Sequence, residues 1–467
     1  MNMANKPFVH PYIPNSVPEV RQEMMDFIGI KSTEEIYAAI PEKLRFRRRL
    51  DLPEAIRSEA EMRSHLEKIL NKNVTCKEYL SFLGGGCWQH YVPAVVDEIV
   101  NRAEFVTAYC GGTYSDLGKF QARFEFYSMM GEMLGVEAVS EPIYDWATAA
   151  GFSLRMAARI TGRNEVLIPA QMSPDRLAVI KTQCQPEEMA NSVHVIPVAY
   201  DEKTGRMDMD DLKAKLSKKT AGVYFEVPGY FGVIEDDPAA ICAAAHEAGA
   251  VAIVGVDPIS LGVLEAPGNY DADIICGDLQ SLGVHMYCGG GQSGFIAMKD
   301  EEKFVGECPL AFYTLVETVD GQFGYAEMLP ERTSYEARDK GKDWVGTASG
   351  LWTIAAAAYM SLMGPQGMQE IGETLVQNAN YAKKLIDEIP GVETKFDSTF
   401  KEFVVNFDKT GKTVAEINKA LAAKKIYGGI DLSQQYPELG QSALYCFTEV
   451  ITVEDVKTLV DALKEVC

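Results

Sequence analysis

Val251-Ala252-Ile253-Val254-Gly255-Val256-Asp257-Pro258 is the stretch from which the fold of this chain is read. Six apolar residues in a row, mostly β-branched, are too short for a helix and leave no polar face, which is the pattern of a strand buried on both sides. An alanine-rich helical segment, residues 238–246, precedes it, and further short apolar runs lie at 166–168, 193–198 and 223–227. Strands alternating with helices predict an α/β fold with a mainly parallel sheet covered on both faces. Asp257 stands where the strand stops, so its carboxylate faces the crevice at the carboxyl edge of the sheet, where open α/β sheets bind ligands. The plainer role for the same residue is to cap the turn it makes with Pro258. The run 251–297 contains no lysine.

Outward from this centre the chain divides into three. Residues 1–90 are rich in charge and proline, with short amphipathic stretches at 20–28 and 59–70, and read as a helical arm that wraps onto something larger. Residues 91–335 carry the strand and helix alternation and form the large α/β domain. Residues 336–467 read as a smaller α+β domain. In it Met368, Ile371, Leu375, Ala379, Ala382 and Leu385 recur at helical steps until Pro390-Gly391 stops them, and Val456, Leu459, Val460, Leu463 and Val466 repeat the pattern.

With 467 residues the chain can bury a full enzyme core, and a formal charge of -23 excludes nucleic acid or an anionic membrane as a partner, since both require a basic surface. Ten cysteines are scattered singly, which fits a reducing cytosol. With no apolar leader and no run of about 18 apolar residues, a cytoplasmic location is expected. No two of the six histidines fall at i, i+4 beside an acid, so no metal site is expected, and neither a Walker loop nor a nucleophile elbow occurs. The glycine run Gly289, Gly290 and Gly291, with Gly294, can admit a phosphate or a neighbouring subunit close to the backbone, or form a plain turn. Gly84, Gly85 and Gly86 form a second run, followed by His90, which reads as a hydrogen-bonded structural residue, whereas His246 is expected to face solvent. Ser281 has no local base that would make it a nucleophile.

Several segments taken in order resemble one family over nearly the whole chain. They are Pro11-Tyr12-Ile13-Pro14-Asn15, the glycine run 82–93 ending His90-Tyr91-Val92-Pro93, Glu104-Phe105-Val106-Thr107-Ala108-Tyr109, Tyr144-Asp145, the turn at 232–236, Val256-Asp257-Pro258-Ile259-Ser260-Leu261-Gly262, Gln280-Ser281-Leu282-Gly283 and Tyr436-Pro437-Glu438-Leu439-Gly440. Together they resemble the α subunit of the split glycine decarboxylase, the P-protein of the glycine cleavage system. The resemblance implies the fold of type I pyridoxal-phosphate (PLP) enzymes. In those enzymes an acid at the Asp257 position pairs with the pyridinium nitrogen, and a lysine follows about eight residues after the equivalent of Asp273; here that position is Ser281. It implies a β-type partner that carries the lysine and the covalent PLP, with none held covalently on this chain, in a heterodimer or dimer of heterodimers. The implied reaction decarboxylates glycine and passes the aminomethyl group to the lipoyl arm of the H-protein. The cofactor-side positions the resemblance points to are Asp257, Ser281, Gly289, Gly290 and Gly291.

The chain also departs from the family. The polar loop after Tyr109 is replaced by Cys110 to Gly118, a second polar run by Asp343 to Ser349, and Trp146 stands where the family has glycine. Lost amides and added indoles reshape any pocket. Two alternatives therefore stand beside the decarboxylase subunit: a non-catalytic scaffold or regulatory paralog, and a paralog recruited to another small-molecule reaction.

Overall fold

The computed structural model describes residues 9–48, 50–106, 117–185, 191–328, 339, 341–343, 345–346 and 349–467. The chain forms two compact units, residues 1–73 and 74–467. In the first, Pro18–Ile28 and Glu59–Leu70 are helices. Pro18 opens one at a position where a missing N–H costs nothing, and Ser58 caps the other. Neither helix has a buried residue. Tyr12, Phe27, Leu44, Leu52 and Leu70 are each more than half exposed, and among the described residues of this unit none is buried.

The second unit opens with β1 (Leu80–Ser81). The main sheet is built from β2 (Ala138–Val139), β3 (Glu165–Pro169), β4 (His194–Val198), β5 (Thr220–Glu226), β6 (Val251–Val256), β7 (Ile274–Asp278) and β8 (Gly294–Met298), in the spatial order β2-β8-β7-β6-β5-β3-β4. Strands β4, β3, β5, β6 and β7 run parallel, and β8 runs antiparallel to both β7 and β2. The two faces separate by alternation. Ala252, Val254 and Val256 of β6 enter one core with Ile275, Phe295 and Ala297, while Val251 and Ile253 enter another with Ile274, Cys276, Ile296 and Met298.

A hairpin of β9 (Phe312–Glu317) and β10 (Phe323–Met328) follows. The helix Gly350–Asp387 then leaves the sheet for the C-terminal lobe. It bends at Gly364, whose φ of 59° is non-helical, beside Pro365. Its first half places Ala355, Tyr359 and Met360 on the sheet core, and its last turns place Ala379, Ala382 and Ile386 in the core of the lobe. That lobe is a four-stranded antiparallel sheet, β11-β12-β15-β14, of β11 (Glu393–Thr394), β12 (Glu402–Asn406), β14 (Ile430–Asp431) and β15 (Ser442–Cys446). Thr413 and Thr452 close capping boxes on its helices Val414–Ala423 and Val453–Val466. The remaining strand, β13 (Ile426–Tyr427), pairs with β1, so the chain just after the first unit is stitched to the C-terminal lobe. Among the described residues, no helix is long and apolar enough to cross a membrane.

Candidate active-site crevice

Three adjacent parallel strands each end in an acid: Glu226 closes β5, Asp257 follows β6 and Asp278 closes β7. All three are buried. Asp257 makes no side-chain cap on the turn Pro258–Gly262. Its Oδ1 accepts the Ser281 hydroxyl at 2.7 Å, and its Oδ2 lies 2.6 Å from Lys401 Nζ. The ion pair, not the turn, holds this carboxylate.

Lys401 comes from the C-terminal lobe, one residue before β12, and only 3% of its side chain is exposed. Its ammonium lies 3.5 Å above the Trp88 ring and 2.9 Å from His90 Nε2. His90 Nδ1 is 2.7 Å from Glu449 Oε2, and the Tyr91 N–H donates to Glu449 Oε1 at 2.7 Å. Burial pushes the Glu449 carboxyl upward, but the His90 ring and the Tyr91 N–H outweigh it and hold the group down at about 2. A continuous line of contacts, Glu449 to His90 to Lys401 to Asp257 to Ser281, thus joins the lobe to the sheet.

Beside it, Arg176 Nη1 pairs with Glu226 Oε1 at 2.6 Å, and its guanidinium lies 3.9 Å from the Trp146 ring centre. The Tyr224 hydroxyl donates to Glu226 at 2.8 Å and lies 3.0 Å from Trp146 Nε1, which donates to it. Asp278 accepts the Gln280 N–H at 3.0 Å; burial, with Asp257 nearby, pushes its carboxyl up to about 7. Gln280 also clamps Trp88, accepting its N–H at 3.0 Å and donating to its carbonyl at 2.9 Å. The glycine run at 84–86 exists for close approach: a Cβ on Gly84 would lie 2.1 Å from Glu402 Oε1, the atom that accepts the Gly85 N–H at 2.7 Å.

Asp257 and Ser281 are therefore brought together. Gly289, Gly290 and Gly291 lie apart from them in an exposed turn, with nothing within 4 Å of a Cβ on Gly289 or Gly291. Gly289 lines a cleft with about 1000 Å³ of open space, shared with Gly84, Trp146, Arg176 and Asp278. His246 does not simply face solvent: it is half-buried, 2.8 Å from Asp273 and 3.3 Å from Asp271. His285 is exposed and 2.9 Å from Asp97. Residues 110–116, Trp344, Thr347 and Ala348, where the chain leaves the family pattern, lie outside the described residues. Lys401, Glu449, Arg176 and Glu226 were not singled out from the sequence. The one visible signal was Lys401-Glu402 set among Phe400, Phe403, Val404 and Val405, a charged pair inside an apolar strand pattern.

The family model described as glycine cleavage system P-protein matches residues 10–463. The chain belongs to the P-protein family. Among curated relatives, the probable glycine dehydrogenase (decarboxylating) subunit 1 of Pyrococcus horikoshii is 37% identical over 97% of this chain and 99% of its own length. The protein of the same name from Desulfitobacterium hafniense is 33% identical over 97% and 99%. A crystal structure of glycine decarboxylase (P-protein) of the glycine cleavage system, in inhibitor-bound form, superposes with a TM-score of 0.86 at 30% identity, covering 98% of this chain and 100% of that one. A sphingosine-1-phosphate lyase of Burkholderia pseudomallei, 15% identical with a TM-score of 0.63 over 91% of this chain and 94% of its own, shares the fold alone. The fold of this P-protein family member is thus type I of the PLP-dependent enzymes.

The residues around Asp257 do not fit a PLP on this chain. A pyridinium nitrogen needs an unneutralised carboxylate at Asp257, whereas here Oδ1 accepts the Ser281 hydroxyl and the Lys401 ammonium, 2.6 Å from Oδ2, already balances the charge. The N-terminus of the helix Trp146–Thr161, which opens on the cleft, is already capped by the Asp145 carboxylate, whose Oδ1 accepts the Thr148 N–H at 2.7 Å. A phosphate brought there meets a like charge.

Proposed function

We propose that this chain is the lysine-free subunit of a two-part P-protein, acting in the cytoplasm with a homologous β-type chain that holds the PLP covalently. The assembly decarboxylates glycine and transfers the aminomethyl group to the lipoyl arm of an H-protein. The observation that supports this reading is the ion pair of Asp257 with Lys401, beside the serine at position 281, which neutralises the counter-ion a cofactor on this chain would use. The relatives named subunit 1 support the division into two chains. The partner's cofactor would supply the electron sink for loss of carbon dioxide. This chain's own residues build a rigid, plugged lobe beside it, and the exposed turn with Gly289, Gly290 and Gly291 is free to meet another backbone closely.

The test is exchange of the glycine carboxyl carbon with bicarbonate by this chain mixed with a β-type chain from the same source. Exchange that requires both chains is expected. Exchange by the β-type chain alone at the full rate, or by neither combination, sinks the proposal. The plugged crevice also favours a second reading, a non-catalytic scaffold or regulatory paralog, for which co-purification without exchange is the expected result. A paralog recruited to a different small-molecule reaction would show neither.

A further inference from the structure

A second cavity, with about 760 Å³ of open space, lies away from the crevice around Asp257. Two of its lining residues, Asn164 and Val193, each stand one residue before a strand, β3 and β4, which puts it at the amino edge of the sheet. Arg155, Arg159 and Arg163 also line it, four residues apart along the helix Trp146–Thr161 and the turn after it. Residues one helical turn apart share a face, so the three guanidinium groups meet the same space.

Two of these arginines are neutralised by acids. Arg155 Nε lies 2.6 Å from Asp343 Oδ1, and Arg159 reaches Glu307 at 2.9 Å and Asp343 at 2.7 Å. Arg163 is held differently. Its Nη1 donates to the carbonyls of Thr220 and Ala248, both at 2.8 Å, which fixes the guanidinium and leaves its charge unbalanced. Gly249 leaves it room, since a Cβ there would lie 3.0 Å from Arg163 Nη2. Among the described residues no carboxylate pairs with Arg163, and its Nε and Nη2 donate to nothing. Glu165, close in the chain, is taken by Lys219 and Ser217.

An arginine with Nε and Nη2 open presents two parallel N–H groups, which grip two oxygens of one anion. Lys342 lies 3.3 Å from Glu307, so among the described residues this cluster sets four cations against two acids, in a chain whose formal charge is -23. A local surplus of two positive charges favours a dianion over a carboxylate. The Ser192 hydroxyl, which lines the cavity with no partner among the described residues, is a further donor.

We infer that this cavity binds a phosphate dianion, free or carried as a monoester on a small organic body, with two of its oxygens on Arg163 Nε and Nη2. The open space exceeds what phosphate alone fills, so an ester has room for its organic part. The site lies on this chain alone and does not need the decarboxylase reading.

The experiment is calorimetric titration of the full chain, without partner, at about pH 8, where a phosphate monoester is a dianion. Inorganic phosphate and adenosine monophosphate are the probes, with acetate and adenosine as controls. Saturable heat is expected for at least one phosphate probe and none for acetate or adenosine. Affinity for phosphate equal to or above that for the monophosphate assigns free phosphate, and a monophosphate bound at least about tenfold tighter assigns an ester. Arg163→Gln should weaken binding at least about tenfold. Ser192→Asp brings a negative charge into the cavity while Arg163 keeps its bonds to Thr220 and Ala248, so it retains the fold and should weaken binding by a similar factor. Lys219→Ala removes an exposed cation nearby and should leave the affinity unchanged. No saturable heat for either phosphate probe, acetate binding as tightly as phosphate, unchanged affinity in Ser192→Asp, or an equal loss in Lys219→Ala overturns the inference. None of these readings depends on exchange activity, so the two proposals fail separately.

Discussion

Replacing Lys401 by methionine removes one charge from a pair whose side chains are 3% and 4% exposed and whose charged atoms are 2.6 Å apart. At an effective dielectric of about 20 the Coulomb attraction at that distance is about 6 kcal/mol, and the cost of taking both ions out of water cancels much of it. The net worth of the pair is therefore modest, while the cost of breaking it is large. Lys401→Met leaves Asp257 charged, buried and held by Ser281 alone, for an expected loss of about 3–5 kcal/mol. Asp257→Leu alone leaves the ammonium on His90 and the Trp88 face, and costs a similar amount. The double variant buries two apolar side chains in place of two ions and recovers most of the loss, so the two single losses exceed that of the double by at least about 4 kcal/mol, which is their coupling. Urea unfolding followed by tryptophan fluorescence is the assay, because Trp88 and Trp146 both lie in the crevice. The midpoints should also be insensitive to salt, since buried pairs are little screened. Single variants that each cost under about 1 kcal/mol and add without coupling would refute the reasoning.

Glu449 is held at about 2 against an ordinary value of 4.5, so its contribution is present above pH 4.5 and lost as the pH falls toward 2, about 3 kcal/mol in all. Glu449→Gln should flatten that limb of a urea-midpoint titration, and an unchanged limb would contradict the assignment. Asp278 has the opposite sign: raised from 3.8 to about 7, it contributes fully below pH 3.8 and costs stability as the pH rises to 7, about 4 kcal/mol. Asp278→Asn should remove that decline, which the same titration measures. Gly232 has a φ of 79°, and a Cβ there would lie 1.8 Å from the Glu402 carbonyl oxygen, so Gly232→Ala should cost at least about 3 kcal/mol; a midpoint within error of the parent would refute the packing argument. Limited trypsin digestion should cut first within residues 9–73, where no described residue is buried, and leave 74–467 whole; first cuts inside the sheet unit would contradict this.

Much of the sheet was legible because buried parallel strands leave a strong local trace. Val251–Val256 is a strand with the bounds read from its apolar run, and 166–168 and 193–198 fall on β3 and β4 to within a residue or so. The long helix was seen only from Met368 onward, because its first half, rich in Ala355, Ala356, Ala357 and Ala358, carries no clear stripe. Asp257 was legible by its place at a strand end, and the Gln280-Ser281 motif brought Ser281 beside it. Lys401 was not, since its partner is 144 positions away in the chain and no local pattern records which lysine crosses a crevice. Likewise the glycines at 84–86 read as a turn until Glu402, far along the chain, showed what they approach.

The lysine on Asp257 also bears on how such a chain changes over generations. A lysine introduced at position 281 would bring a second ammonium to a carboxylate that Lys401 already neutralises, and two like charges in one buried site oppose each other. Loss of Lys401 first leaves the acid unpaired. Each single step toward a cofactor-holding site passes through a less stable protein, so the proposed division of labour would work as a ratchet, held by folding energy as well as by selection on activity.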